Sequence, residues 1–341
     1  MAQDKNPPFA IRNEPGKIFL EGRISAPVWP DLMKAYVRSV GRGPVALDFS
    51  AMESLEVSGL NALVKLSVAA KGQGRKLVAS GLTPFFQEVF ASSGIDAVIP
   101  VEKPSPVREG QAPPPGWPWA RPTASLAVSS LPEGALNLNV EGRRPVGPVQ
   151  GFGLLWEKTY RVALPGTGLR PEEVIRAFKE HFPQFQPAKN RFYPSPAGIA
   201  PGEVVLINAN TPAGLISTGV WVLYADDLSF TFMTPEGHPE AGWVSFNAFE
   251  DQGVVTAQIQ GFARASDPLF EMGFVLMGSK EQEGIWMYVL ASLCRHFGVT
   301  APVVMNKSCV GTSYQFDRMG NVLKNAQILT MLHTVRKIAG I

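Results

Sequence analysis

The sequence has few cysteines and few charges, and it lacks any long uninterrupted apolar run. Its 341 residues include only Cys294 and Cys309, without a C-x-x-C pair, which excludes a disulfide framework. We therefore expect reduced thiols and a cytoplasmic protein. The first residues are polar and contain no signal-peptide core, and no apolar stretch is long enough to cross a bilayer. The sequence thus predicts no membrane span.

The chain also lacks a large excess of positive or negative charge. Lysine and arginine total 31 against 29 acidic residues, so the net charge of +2 gives no reason to expect a nucleic-acid partner. The four histidines do not occur at metal-ligand spacing, and phosphate-binding and dinucleotide-binding motifs are absent. We predict no metal and no cofactor.

Prolines divide the chain. Seven of them fall between residues 103 and 123, and such a run sustains neither a helix nor a central strand. We predict a first domain over residues 1–103, a Pro-rich linker with a poorly assigned segment over 104–150, and a second domain over 151–341. Trp117 and Trp119 lie in the proline run, and we expect them to pack back onto a domain; a partner-docking peptide is the alternative.

Strands and helices alternate in the first region, which indicates an α/β layer fold. The apolar strand Val45–Phe49 contains Asp48, and Ser58-Gly59 follows as the opening of an amphipathic helix. We expect the Ser58 hydroxyl to cap this helix. Further predicted strands and helices are Lys17–Gly22, Pro30–Arg38, Lys76–Ser80, the helix from Pro84 to Gly94, and Ala97–Val101.

This ordered set resembles the anti-sigma-factor antagonist (STAS) family over about residues 9–102. The resemblance implies a protein partner, such as an anti-sigma-factor-like regulator, bound around Asp48, Glu56, Val57, Ser58 and Gly59. In that family a serine at the helix start is phosphorylated by the partner kinase and the complex then breaks. Here the acceptor position holds Val57, which has no hydroxyl. We therefore expect partner binding without the usual phosphorylation switch.

The second region predicts a curved antiparallel sheet between helices. Strand-like runs cover Gly219–Tyr224, Phe230–Thr234 and Trp243–Phe249, and residues 255–264 alternate strictly with period two. Predicted helices are Pro171–Phe182, a long region from Pro268 to Phe297 that is broken or bent near Gly278 and Gly284, and Asp317–Ile338. The last helix is expected to pack on the domain, with a dimer helix as the alternative.

This element order is similar to that of START-like helix-grip proteins, in which a sheet wraps around a helix and often leaves an apolar cavity. The T-x-x-G-H-P-x-x-G run from Thr234 to Gly242 resembles a motif of an uncharacterised family of this fold. The fold class expected overall is an α/β STAS-like domain plus an α+β helix-grip domain with a long C-terminal helix.

Aromatic and motif residues are the candidates for a ligand pocket. They are Tyr224, Phe232, Thr234, His238, Trp243, Phe262 and Trp286. The first functional interpretation is a regulatory protein that binds a protein partner and a small apolar ligand. The alternatives are an enzyme that uses His238 as acid or base, and a structural scaffold. The sequence offers no local second catalytic group for His238, so non-enzymatic roles are favoured; His238 otherwise holds the backbone of its turn.

Overall fold

The computed structural model of the protein describes residues 9–25, 28–41, 43–103, 114–277 and 280–339. The chain divides into two compact units between Trp117 and Pro118. Most of the predicted proline linker, residues 104–113, lies outside the described residues, as does Gly278.

The first unit is a four-stranded sheet in the order β1-β2-β3-β4. Strands β2 and β3 and strands β3 and β4 are parallel, whereas β1 pairs antiparallel with β2. The elements are β1 (Ala10–Glu14), β2 (Lys17–Ile24), α1 (Trp29–Ser39), β3 (Val45–Leu55), α2 (Val57–Gly72), β4 (Leu77–Ser80) and α3 (Pro84–Ser93).

The end of the first unit differs from the prediction. The segment Ala97–Val101 was expected to be a strand, but Ile95–Ala97 forms a 3-10 turn and Val101 makes a single parallel bridge with Ala79. The turn starts at Gly94, whose positive φ of 71° also ends helix α3. Ala97, the first residue of the predicted strand, belongs to this turn.

The second unit is built on one large antiparallel sheet in the order β13-β6-β12-β11-β10-β9-β8-β7, with the short β5 paired to β10. The strands are β5 (Pro145–Val146), β6 (Leu155–Ala163), β7 (Asn190–Pro194), β8 (Val204–Thr211), β9 (Gly214–Ala225), β10 (Ser229–Pro235), β11 (Glu240–Asp251), β12 (Val254–Ala265) and β13 (Val304–Gly311). The helices are α4 (Pro171–His181), α5 (Pro268–Met277), α6 (Lys280–His296) and α7 (Ala326–Ala339).

One face of this sheet packs on α4 and α6 and encloses the core. The ring of Phe178 on α4 lies 5.7 Å from that of Phe246 on β11, and Phe246 lies 5.5 Å from Trp286 on α6. Val289, Leu290 and other apolar side chains of α6 are fully buried in the same cluster. An antiparallel sheet that wraps a long C-terminal helix is the helix-grip arrangement, so the predicted fold class is confirmed.

Residues 118–150, which the sequence predicted to be the end of the linker and a poorly assigned segment, pack on the second unit instead. The Ala120 amide donates to the Leu223 carbonyl, and Asn139 donates to the Ser217 carbonyl. Trp119 packs edge-on to Tyr224 at 4.8 Å, while Trp117 lies 5.4 Å from Phe86 in the first unit. The expectation that both tryptophans pack back onto the protein is confirmed.

The predicted helix Asp317–Ile338 is two elements. A 3-10 segment, Phe316–Lys324, precedes α7, and Asn325 separates them. The Asn325 side chain accepts from the Ile328 amide at the start of α7 and donates to buried Asp267. An asparagine that caps the second element in this way ends the continuous helix that the apolar spacing predicted.

Candidate functional site

A cavity of about 80 Å³ lies between the core-facing side of the second unit's sheet and the start of α6. Most of its lining is apolar, and the polar lining groups come from β6, β10, β11, α6 and the turn between β10 and β11. The lining residues are Trp156, Lys158, Tyr160, Phe192, Ile207, Val220, Phe232, Thr234, His238, Glu240, Gly242, Trp243, Val244, Gly261, Ala263, Gln282 and Trp286.

Five of the seven predicted pocket residues line this cavity. They are Phe232, Thr234, His238, Trp243 and Trp286. The Trp243 ring itself lies on the other face of the sheet, because it stacks on Phe262, its cross-strand partner, with ring centroids 6.2 Å apart. The structure therefore brings Phe232, Thr234, His238 and Trp286 together around one cavity.

Tyr224 does not line the cavity, and the reason is a β-bulge. Thr231 pairs with Tyr224, but the next residue, Phe232, pairs with Val222, so Leu223 is an extra residue in β9. The bulge reverses the alternation of side chains along the strand. Tyr224 consequently turns to the other face, where it contacts Trp119.

Phe262 does not line the cavity either, because strand alternation sends it to the opposite face. Its neighbours Gly261 and Ala263 line the cavity instead. A Cβ added at Gly261 would meet no atom closer than the Lys158 carbonyl oxygen at 4.0 Å. This glycine therefore leaves room in the cavity that a side chain would fill.

The polar lining groups form a connected set. Lys158 Nζ donates to Gln282 Oε1 at 3.0 Å and lies 3.6 Å from Glu283, and the Gln282 amide donates to Glu240. Tyr160 is fully buried, and in the part of the chain that the structure describes its hydroxyl has no hydrogen-bond partner. The cavity thus combines apolar walls with a small group of hydrogen-bonding side chains.

His238 is held by its own turn. Its Nδ1 lies 3.1 Å from the backbone nitrogen and from the backbone oxygen of Glu240, so the interpretation of a turn-holding histidine is confirmed. Burial lowers the pKa of His238 to about 4, and this keeps the ring neutral near pH 7. The role of His238 as an acid or base remains a prediction.

Burial also shifts the acids in the cavity. It raises the pKa of Glu240, although Lys158 and the hydrogen bond from Gln282 act in the opposite direction. Burial, with Glu283 and Glu240 nearby, raises the pKa of the Tyr160 hydroxyl, which therefore stays protonated. The Tyr160 hydroxyl is consequently an uncharged hydrogen-bond donor in the cavity.

The motif around His238 has a geometric basis. Thr234 Oγ1 accepts from the Gly242 amide at 3.1 Å and lies 3.2 Å from its carbonyl oxygen, which clamps the two ends of the turn together. Gly242 has a φ of +151°, and a Cβ there would lie 2.3 Å from the Phe262 carbonyl oxygen. Gly237 has a φ of +86° and closely approaches the Lys324 carbonyl. Only glycine fits either position.

Sequence reasoning missed Lys158, Tyr160, Glu240, Gly261 and Gln282. For β6 a signal was available, because Trp156, Lys158 and Tyr160 alternate and share one face of a strand. Gln282 could not have been found, since its place depends on how α6 crosses the sheet.

Of the predicted partner-binding residues, Asp48 lies in the first half of β3, and the other four lie around the start of α2. Asp48 pairs with Lys17 at 2.7 Å and accepts from the Ser50 amide. Glu56 pairs with Arg23 at 2.5 Å. Both carboxylates thus have partners within the unit.

The other three residues show that this helix start differs from the expectation. Val57 is 5% exposed and Gly59 is buried, with its Cα so close to Ile24 that a Cβ would lie 2.7 Å from the Ile24 carbonyl oxygen. The expected Ser58 cap is wrong, because α2 begins at Val57 and the Ser58 hydroxyl bonds instead to the Glu56 carboxylate at 3.3 Å. Only Glu56 and Ser58 keep partly exposed side chains at the start of the helix.

Two further features concern the described residues alone. They contain no group of three or more His, Cys, Asp or Glu side chains arranged to hold a metal ion. Among the helices in this part of the chain, none has the length and apolar character needed to cross a membrane.

The first unit is similar to a known family of domains. A family model described as "Mlab, STAS domain" matches residues 9–100. A comparison with curated proteins found no match to this sequence.

Several solved structures are similar to part of the chain. Protein Ms6760 from Mycobacterium smegmatis is 14% identical over 41% of this chain and 89% of its own, with a TM-score of 0.31. A protein from Thermus thermophilus, TTHA0849, is 11% identical over 41% and 96%, with a TM-score of 0.33. Major latex-like protein 151 from Panax ginseng is 16% identical over 42% and 99%, with a TM-score of 0.26. At these scores the helix-grip assignment rests on the strand order and helix packing described above, and the chain joins a STAS-like unit to a helix-grip unit.

Proposed function

We propose that this chain is a regulatory protein whose first unit binds a protein partner and whose second unit binds a small, largely apolar ligand. The observation that carries the proposal is the cavity between the sheet and α6. Its apolar walls, which include Phe232, Val244 and Trp286, stabilise an apolar body, and its polar side chains orient one polar group of the ligand.

The size of the cavity limits the ligand. Its volume of about 80 Å³ is smaller than the roughly 150 Å³ that admits benzene in an engineered protein cavity. The cavity can therefore enclose only a few heavy atoms of a ligand. Tyr160 supports a ligand that carries an acceptor oxygen, because its protonated hydroxyl lacks a hydrogen-bond partner among the described residues.

A titration with butan-1-ol, a short apolar chain with one polar group, tests the ligand site. Methyl NMR of the full chain should show shifts at Ile207, Val220 and Val244, which line the cavity. Gly261→Val should abolish these shifts because its side chain would occupy the open space. Gly261→Ala is the control, since one methyl group leaves most of the room.

Shifts that persist unchanged in Gly261→Val, or that are confined to surface methyl groups, would show that butan-1-ol binds elsewhere. Either outcome removes the proposed ligand site while leaving the first unit's role open.

For the first unit we propose partner binding without a phosphorylation switch at the start of α2. The residue at the family's acceptor position supports this. Val57 has no hydroxyl to phosphorylate, and its side chain is buried where a kinase could not reach it. Phosphopeptide mapping after co-expression with cognate kinases should find no stoichiometric phosphate on Ser58. Phosphate on Ser58 that releases a bound partner would overturn this part of the proposal.

A further inference from the structure

Helix α7 presents an apolar stripe to solvent. Its large apolar side chains recur at helical spacing and span about 120° of the helix circumference. Their exposed fractions are 37% for Ile328, 51% for Met331, 49% for Leu332, 62% for Val335 and 82% for Ile338. A surface helix normally turns such a stripe inward, so this orientation is reversed.

Hydrogen bonds fix the reversed orientation. Thr330 is fully buried, and its Oγ1 accepts from the Ser217 amide at 3.1 Å and from Asn139 Nδ2 at 3.0 Å. Gln327 Nε2 donates to the carbonyl oxygens of Ala213 and Leu215 on and beside β9. Because these polar contacts hold the polar side of α7 against β9, rotation of the helix to bury its stripe would leave buried polar groups unpaired.

The charges around the stripe are all of one sign. Helix α7 carries the basic side chains Arg336 and Lys337 and no aspartate or glutamate, whereas Arg318 and Lys324 before it are paired with Asp317 and Glu236. Arg336 and Lys337 lie in the last turn of α7, away from the stripe. This excess of positive charge matches an anionic surface, whereas a second copy of the chain would bring the same positive charge.

We propose that α7 lies with its apolar stripe on an anionic lipid surface. Every residue from Met331 to Ala339 is exposed, so the second half of the helix extends beyond its contacts with β9. A protruding helix with an apolar side and a basic polar side binds in the plane of a lipid interface. The long basic side chains reach the lipid headgroups while the apolar side chains enter the acyl boundary.

Vesicle cosedimentation of the full chain tests the proposal. Binding to phosphatidylglycerol vesicles should exceed binding to phosphatidylcholine vesicles, and Arg336→Gln with Lys337→Gln should lower it roughly 30-fold. Val335→Gln should weaken binding about tenfold, because a buried valine contributes apolar transfer free energy. Thr334→Gln is the matched control, since it changes the adjacent position off the stripe without a change of charge.

Three outcomes would overturn the proposal. The first is equal binding to both vesicle types, and the second is an equal effect of Val335→Gln and Thr334→Gln. The third is the absence of vesicle binding together with a dimer, seen by analytical ultracentrifugation, that Val335→Gln dissociates; the stripe would then be an interface between two copies. The unfolding midpoint of each variant should match that of the native chain, since positions 334 and 335 are both exposed.

Discussion

At the scale of single residues, the turn between β10 and β11 places two glycines against backbone carbonyls that are distant in sequence. Thr234, Gly237, His238 and Gly242 were all recognised as a motif. Their roles depend on atoms distant in sequence, such as the Phe262 and Lys324 carbonyls that approach the two glycines. The spacing of residues within the motif does not report such close approaches. The motif therefore predicted the fold but not the contacts that require its glycines.

Gly242→Ala should destabilise the second unit. A Cβ would lie 2.3 Å from the Phe262 carbonyl oxygen, and φ at this position is +151°. We expect a loss of about 2–4 kcal/mol in the free energy of unfolding, measured by urea denaturation. Gly261→Ala on the next strand should change it by less than about 1 kcal/mol. Equal stability of the two variants would contradict the clamped turn.

His238 should make the protein less stable in mild acid. Because its folded pKa of about 4 lies below the ordinary value near 6.5, the unfolded chain binds the proton more tightly. Stability is therefore lost as pH falls from about 6.5 towards 4. The raised pKa of Glu240 acts in the opposite sense, with stability decreasing as pH rises through its ordinary range.

Replacing the ring isolates its contribution from that of Glu240. His238→Asn should reduce the loss of stability between pH 7 and pH 5 by about 1–2 kcal/mol, measured as urea midpoints at both pH values. An unchanged pH dependence in the variant would mean that His238 is not buried in its neutral form.

At the scale of elements, periodicity predicted β2 to β4, β9 to β12 and the helices, but it gave no range for β5 to β8 or β13 and failed where the backbone is irregular. The extra residue Leu223 in β9 reversed the face of Tyr224, and Asn325 divided the predicted final helix. Strand β1 was missed because Ala10–Glu14 is mostly polar and exposed at the sheet edge. A bulge or a cap involves one or two residues, so the apolar period of the sequence is nearly unchanged. The direction of the following side chains or of the helix axis nevertheless changes.

Thr330→Val should loosen α7. The change removes the acceptor of the buried Ser217 amide and one partner of Asn139. Such an unpaired buried group costs about 1–3 kcal/mol, and hydrogen exchange in α7 should accelerate while exchange in β11 and β12 is retained.

Thr334→Val is the control for this variant, because the hydroxyl of the exposed Thr334 donates to the Thr330 carbonyl within the helix rather than to β9. We expect hydrogen exchange in α7 of Thr334→Val to stay close to that of the native chain. If both variants exchange alike, the polar contacts with β9 do not hold the helix.

At the scale of the whole molecule, the sequence predicted two regions and both fold classes. The α/β alternation and the meander between helices were sufficient for this, since each depends on long patterns rather than on single contacts. The cavity was expected only by resemblance, and its polar members come from β6, β11 and α6, which are distant in sequence. Their convergence depends on the curvature of the sheet around α6, which hydrophobic periodicity does not report.

The central claim is that the second unit holds a small, largely apolar ligand between its sheet and α6. Native mass spectrometry of the full chain, freshly purified from its own cells, tests this most directly. The protein should carry a small molecule that dissociates on activation, and Gly261→Val purified in parallel should have lost it while Gly261→Ala retains it. A native chain that carries no small molecule, or a bound mass unchanged in Gly261→Val, would contradict the claim.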